Sequence, residues 1–148
     1  MKQSTICFFL LTTLVTLVST VAGAQTDEDQ VKAVIESAYV QGIHNGGPVA
    51  DIRAGFHPSF IMFVSASNNI KQMPLEEWIT NIEKNRATSS NDGSKATAKF
   101  ISVSVVGTSA NAQLELYRKE KKVFTDNLLL YKFPEDWKIV SKTFYRHP

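Results

Sequence analysis

Three histidines, two strand carboxylates and a set of tyrosines, hydroxyls and amides are the groups in this sequence that could do chemistry. His44, His57 and His147 are widely separated, no helical histidine pair occurs, and the one cysteine, Cys7, sits in an apolar leader. No metal-ligand spacing results, and neither a metal nor another cofactor is expected. A serine triad also lacks its local signature, because no Gly-x-Ser-x-Gly elbow is present. Cofactor-free acid-base chemistry would need an imidazole or carboxylate within hydrogen-bond reach of a substrate, and His57 and Asp126 are the candidates for it. Each histidine has a plainer role as well: His44 as a charged group at a helix C-terminus, His57 as a packed turn residue before Pro58, His147 as a solvated end. Binding without chemistry would use Tyr39 and Trp78 as flat walls, with Asn127, Ser141, Thr143 and Tyr145 as amide and hydroxyl partners. Such a lining suits a planar, neutral, heteroaromatic or hydroxylated organic molecule and does not favour a phosphate.

These groups must be carried by an exported domain. Lys2, the uncharged stretch from Ile6 to Val21 and the small residues Ala22-Gly23-Ala24 have the layout of a signal peptide cleaved after Ala24. The expected product is a periplasmic or secreted protein with no stable membrane anchor and no cysteine, held by its core alone. One domain, residues 25–148, is long enough for that core. The formal net charge is +2, and removing Lys2 leaves 15 basic against 14 acidic side chains, with the signs intermixed. Nucleic-acid binding would require a basic face; the densest basic run, Arg118-Lys119-Glu120-Lys121-Lys122, is interrupted by Glu120 and reads as a hairpin tip.

Apolar residues at Val31, Val34, Ile35, Ala38, Tyr39 and Ile43 recur at helical spacing, so the first element is an amphipathic helix over residues 27–44. Asn45-Gly46-Gly47-Pro48 stops it. A short helix over 49–55 and a hairpin through Ser67-Asn68-Asn69 are expected next, then a helix from Leu75 to about Arg86 with Leu75, Trp78, Ile79 and Ile82 on one face. Residues 87–94, rich in Ser, Thr, Asn and Gly, read as a mobile loop. Four strands then form an antiparallel meander over about 95–106, 109–118, 122–133 and 136–146.

Pairing Val106 with Ser109 across Gly107-Thr108 sets Ile101, Val103 and Val105 opposite Leu114, Ala112 and Ala110. A turn at Glu120-Lys121 continues the pattern with Leu116, Leu114 and Ala112 opposite Thr125, Asn127 and Leu129. Tyr131, Leu129, Asn127 and Thr125 then meet Ile139, Ser141, Thr143 and Tyr145. This phase predicts a concave face that gathers Asn127, Ser141, Thr143 and Tyr145 and leaves Glu115 and Asp126 outside. The outer face would hold Tyr117, Phe124, Leu128, Leu130, Val140 and Phe144, a surface suited to a homodimer.

The phrases Tyr39-Val40-Gln41-Gly42-Ile43-His44-Asn45-Gly46, Gly55-Phe56-His57-Pro58-Ser59-Phe60, Glu77-Trp78-Ile79, Trp137-Lys138-Ile139-Val140 and Phe144-Tyr145-Arg146-His147-Pro148 resemble the putative lumazine-binding branch of the nuclear transport factor 2-like superfamily. The resemblance covers nearly all of residues 25–148 and implies an α+β, cystatin-like cone: N-terminal helices packed on a curved antiparallel sheet. Where that branch often has a charged residue after the Phe of its first strand, this chain has Ile61. Superfamily enzymes such as ketosteroid isomerase and scytalone dehydratase resemble one another in placing a carboxylate or histidine in the cone, so the resemblance leaves function open. The favoured expectation is a non-enzymatic protein with a small organic ligand in the cone. The alternatives are a cofactor-free isomerase, dehydratase or hydrolase using His57 or Asp126, and a cone filled by its own side chains that serves as an interaction module.

Overall fold

The computed structural model describes residues 25–88 and 93–148. The expected signal peptide and the middle of the 87–94 loop lie outside the described residues. Helix α1, Asp27–Val34, starts at Thr26, whose hydroxyl accepts from the Asp29 N–H at 3.2 Å. Its acidic first turn suits the positive end of the helix dipole. The chain continues without a break into Ile35–His44, which is wound as a π-helix. Helix α2, Val49–Gly55, leads into strand β1, Phe56–Ala66, which forms a hairpin with β2, Asn69–Pro74. Helix α3, Leu75–Thr88, follows. The meander is β3, Ala96–Val106, β4, Ser109–Arg118, β5, Lys121–Lys132, and β6, Trp137–Arg146.

The six strands form one sheet in the order β2-β1-β6-β5-β4-β3, antiparallel except where β1 runs parallel to β6. The fold class is therefore the expected α+β cone. The sheet wraps the π-helix, and the core between them gathers Tyr39, Ile52, Phe56, Phe60, Leu114, Leu116, Leu128, Leu130, Trp137 and Ile139. Close approach of α2 to the π-helix depends on Gly55: a Cβ there would lie 2.3 Å from Ala38 Cβ and 3.3 Å from Val34 Cγ1.

Strand phase departs from expectation at three bulges. Val103 pairs with Ala112 and Val105 with Ala110 as expected, but Ile101 is an extra residue and Phe100 takes its place opposite Leu114. At the next hairpin the turn is Lys119-Glu120, both with positive φ (50° and 62°), so Arg118 pairs with Lys121. Val123 is then extra, and Leu116, Leu114 and Ala112 meet Phe124, Asp126 and Leu128 instead of Thr125, Asn127 and Leu129. Pairs Leu129–Ser141, Asn127–Thr143 and Thr125–Tyr145 form as expected; Leu130 rather than Tyr131 faces Ile139, and Val140 is extra. Each extra residue reverses the alternation beyond it and sharpens the local bend, which closes the sheet into a cone.

The consequence is a reversal of faces over β5 and most of β6. Phe124, Asp126, Leu128, Leu130, Lys142 and Phe144 turn inward, while Asn127, Thr143 and Tyr145 are exposed and Ser141 is half-buried on the outer side. Asn127, Ser141, Thr143 and Tyr145 thus do not line the hollow, and the inward Phe124, Leu128, Leu130 and Phe144 cannot form the outer surface assigned to them. The apolar side chains that the outer face does show include Leu129, Tyr131 and Tyr145, at 52 %, 51 % and 61 % exposure.

Gly55→Ala should lower stability by about 1–3 kcal/mol through overpacking against Ala38 and Val34, read as a lower urea midpoint with an unchanged denaturant slope.

Candidate functional site

The cone opens into a cavity of about 640 Å³ between the π-helix, α3 and the ends of β4, β5 and β6. Tyr39, Trp78, Phe124 and Phe144 supply aromatic surface to it, and Ile43, Met62 and Ile82 supply aliphatic surface. Trp78 is fixed from behind by a near-parallel stack on Phe60 (centroids 5.7 Å apart, 18°) and an edge contact with Phe56. The wall is therefore rigid where a flat ring would lie against it.

Beneath the cavity lies a polar cluster. Asp126, fully buried, accepts from the Tyr39 hydroxyl at 2.8 Å through Oδ2 and from Lys142 Nζ at 2.5 Å through Oδ1. Lys142 is 4 % exposed and its ammonium lies near the rings of Phe144, Tyr39 and Phe124, at 4.2, 5.3 and 5.8 Å from their centroids. Asp126 is its one hydrogen-bond acceptor among the described residues, so two of its three N–H bonds face ring surface or the cavity. Burial holds the lysine below its ordinary pKa, opposed by attraction to Asp126. Burial and the neighbouring carboxylate push the Tyr39 hydroxyl well above the usual phenol range, so it remains a donor.

His44 is the residue that sequence patterning misplaced. It does stand at the end of the helix, but as a neutral group: burial first, then Lys142 and Arg118, lower its pKa to about 3. In an α-helix Tyr39 and His44, five residues apart, would diverge by about 140°. The π-winding, with its i to i+5 repeat, puts them on one face, with rings 4.8 Å apart and nearly perpendicular. His44 also contacts Phe124, lines the cavity, and has its Nε2 buried with no hydrogen-bond partner.

Arginines surround the mouth. Arg118 donates to the carbonyls of Ser94 and His44, and Arg86 to those of Gly42, Ile43 and Gly47, so each ties off backbone at the end of the π-helix. Arg146 lies over the Phe124 ring at 5.3 Å and has no carboxylate partner among the described residues. Among the described residues, the cavity wall thus includes three arginines and a lysine and no carboxylate.

Of the side chains singled out from sequence, the cavity brings together Tyr39 and Trp78, with Asp126 just beneath them. His57 is elsewhere, its Nδ1 accepting from the Ser59 N–H and its ring stacked on Phe133 (4.9 Å, 13°). His147 is not free either, since its Nε2 shares a 2.9 Å hydrogen bond with the Thr125 hydroxyl. Lys142, His44, Arg118 and Arg146 were missed as site residues; the signal for Lys142 and Arg146 on β6 was indirect, the alternation Phe124-x-Asp126-x-Leu128-x-Leu130 of the paired β5, more apolar than the intervening set.

Removing the carboxylate from the cluster leaves an unpaired buried ammonium. Asp126→Ala should therefore cost about 3–5 kcal/mol of unfolding free energy, and Lys142→Met with Asp126→Asn should recover most of it, as measured by urea denaturation. His44 gives a second expectation. Its pKa is about 3 folded and 6.5 unfolded, so between those values the unfolded chain binds a proton that the folded chain excludes. Its contribution is complete above the unfolded value and is lost as pH falls, by up to about 1.4 kcal/mol per pH unit. His44→Phe should flatten the stability profile from pH 7 to 5, a window above the range where the lowered pKa of Glu115 acts.

Solved structures with the same architecture include NTF2-like proteins of unknown function. The match from Silicibacter pomeroyi has a TM-score of 0.64 at 20% identity, over 80% of this chain and 93% of that one. The match from Shewanella baltica has a TM-score of 0.60 at 24% identity, over 80% and 94%. A third, from Methylobacillus flagellatus, has a TM-score of 0.60 at 21% identity, over 82% and 93%. These likenesses establish the fold alone. No curated protein matches the sequence. The family model described as "Putative lumazine-binding" matches residues 26–145, nearly the whole described chain. On that match, and with this fold, the chain belongs to the putative lumazine-binding family of NTF2-like proteins.

Proposed function

We propose that the protein is exported and binds one small organic molecule with a planar ring system in the cone, without transforming it. The observation that carries this reading is the aromatic-walled cavity of about 640 Å³. That volume is within the range of about 300–1,000 Å³ usual for small-molecule sites. Ring stacking there would add about 0.5–1.5 kcal/mol per pair beyond area burial.

The non-catalytic part of the proposal is supported by the state of each acid-base candidate. Asp126 does face the hollow, contrary to the sequence expectation, but its oxygens are engaged by Tyr39 and Lys142, and it is sealed beneath them. His44, with a pKa of about 3, is a weak base at neutral pH. His57 lies outside the cavity lining. Export is supported by the leader sequence, and a homodimer by the outward Leu129, Tyr131 and Tyr145.

Native mass spectrometry of protein taken from its own compartment should give a chain mass beginning at Gln25, a dimer, and a retained small-molecule mass. Lumazine, riboflavin or a steroid, added to the emptied protein, should raise the melting temperature. Trp78→Ala should weaken the responding ligand about tenfold, roughly 1.4 kcal/mol, while Asn127→Leu leaves its affinity unchanged. No retained mass and no thermal shift with any of the three would count against binding and favour the interaction-module reading.

A further inference from the structure

Aromatic walls alone would accept any flat apolar molecule, but the charged side chains lining this cavity, among the described residues, have one sign. Lys142 presents N–H bonds with no acceptor beyond Asp126, His44 presents a buried Nε2 with no partner, and Arg146 stands at the mouth with no carboxylate against it. A buried donor without an acceptor is costly; and although Asp126 beneath the cavity balances Lys142, Arg86, Arg118 and Arg146 leave an excess of positive charge in its wall. Both conditions are relieved by the same occupant.

We infer that the cone takes an organic anion, a planar ring system bearing a carboxylate or equivalent oxyanion, whose charged oxygens lie between Lys142 and His44 and toward Arg146 at the mouth. This rests on the pocket proposed above and names the chemistry of its ligand, which the sequence analysis had expected to be neutral. The contacts fit the groups present. A carboxylate has enough lone pairs to accept from Lys142 and from an Nε2–H at once. Neutral His44 carries one ring proton, and an oxyanion would select the tautomer with that proton on Nε2. Arg118, already bonded to the Ser94 and His44 carbonyls, adds charge without needing to move. The ring portion would lie against Trp78 and Phe144, whose surfaces supply shape selection while the cations supply charge selection.

The test uses matched probes that differ only in charge: pterin-6-carboxylate against pterin-6-carboxamide, and 2-naphthoate against 2-naphthamide, titrated calorimetrically into the full chain at pH 7. The carboxylate of each pair should bind at least tenfold more tightly at low salt, with the advantage shrinking at high salt. Arg146→Gln, at an exposed position that does not endanger folding, and His44→Phe should each reduce the carboxylate-over-carboxamide preference at least threefold. Carboxamides binding as tightly as carboxylates would overturn the inference and leave the pocket function standing. A preference that survives in both variants would overturn its assignment to these residues. If none of the four probes binds, the inference falls, while the pocket function is decided separately by the retained mass and the thermal shifts.

Discussion

A carboxylate and an ammonium buried side by side in a domain this small impose conditions on everything around them. Desolvating either ion costs several kcal/mol, and the pair is tolerable only if its geometry is good and its remaining valences are occupied. Asp126 meets the condition by accepting from both Lys142 and the Tyr39 hydroxyl. Lys142 meets it in part, with one carboxylate oxygen and the faces of three aromatic rings. Tyr39 comes from the π-helix, Asp126 from β5 and Lys142 from β6, so the cluster fixes the distance between helix and sheet at the depth where the cone begins to open.

That cluster exists only because the sheet changes phase. Without the extra residue Val123, Leu114 would meet Thr125 and Asp126 would face solvent; without Val140, Leu128 would meet Ser141 and Lys142 would lie on the face opposite Asp126. The two together put both ions on the inner face and bend the strands around the helix. Curvature and site chemistry therefore have one cause. The π-winding plays the matching part on the other wall, bringing His44 under Tyr39 and Phe124, where α-helical spacing would have turned it away. The winding also leaves backbone carbonyls at its end, which Arg86 and Arg118 satisfy, so two of the cations at the mouth are structural before they are anything else.

What was legible in the sequence followed strong local signals. Gly107 supplies the positive φ of the β3–β4 turn, and Val103–Ala112 and Val105–Ala110 could be paired from it. Val49–Gly55, stopped between Pro48 and the aromatic start of β1, matched its expected bounds. The Lys119-Glu120 turn was not legible, because both central residues take positive φ without the Asn-Gly composition that announces such a turn. Val123 and Val140 resemble any other β-branched strand residue, so nothing in their identity marks a bulge. The error then travelled: one misplaced phase sent Asn127, Ser141, Thr143 and Tyr145 into the hollow on paper and sent Asp126 and Lys142 out of it. Patterning along β5 itself pointed the right way, and hydrophobic alternation should outweigh an assumed turn when the two disagree.

On the proposed reading, the field that would suit an anion also works against proton transfer. A general base works best with a pKa near the ambient pH, which for histidine requires a neighbouring carboxylate or solvent to stabilise the imidazolium. His44 has neither; burial, Lys142 and Arg118 all act against its protonation. Asp126, the one inward carboxylate beside the cavity among the described residues, is committed to holding Lys142 in place and cannot leave it without exposing a buried charge. Relatives of this shape that perform acid-base chemistry need an ionisable group released to the substrate. Here Asp126 and Lys142 are locked to one another and His44 is held neutral, which is why the proposed role is to receive charge rather than to move protons.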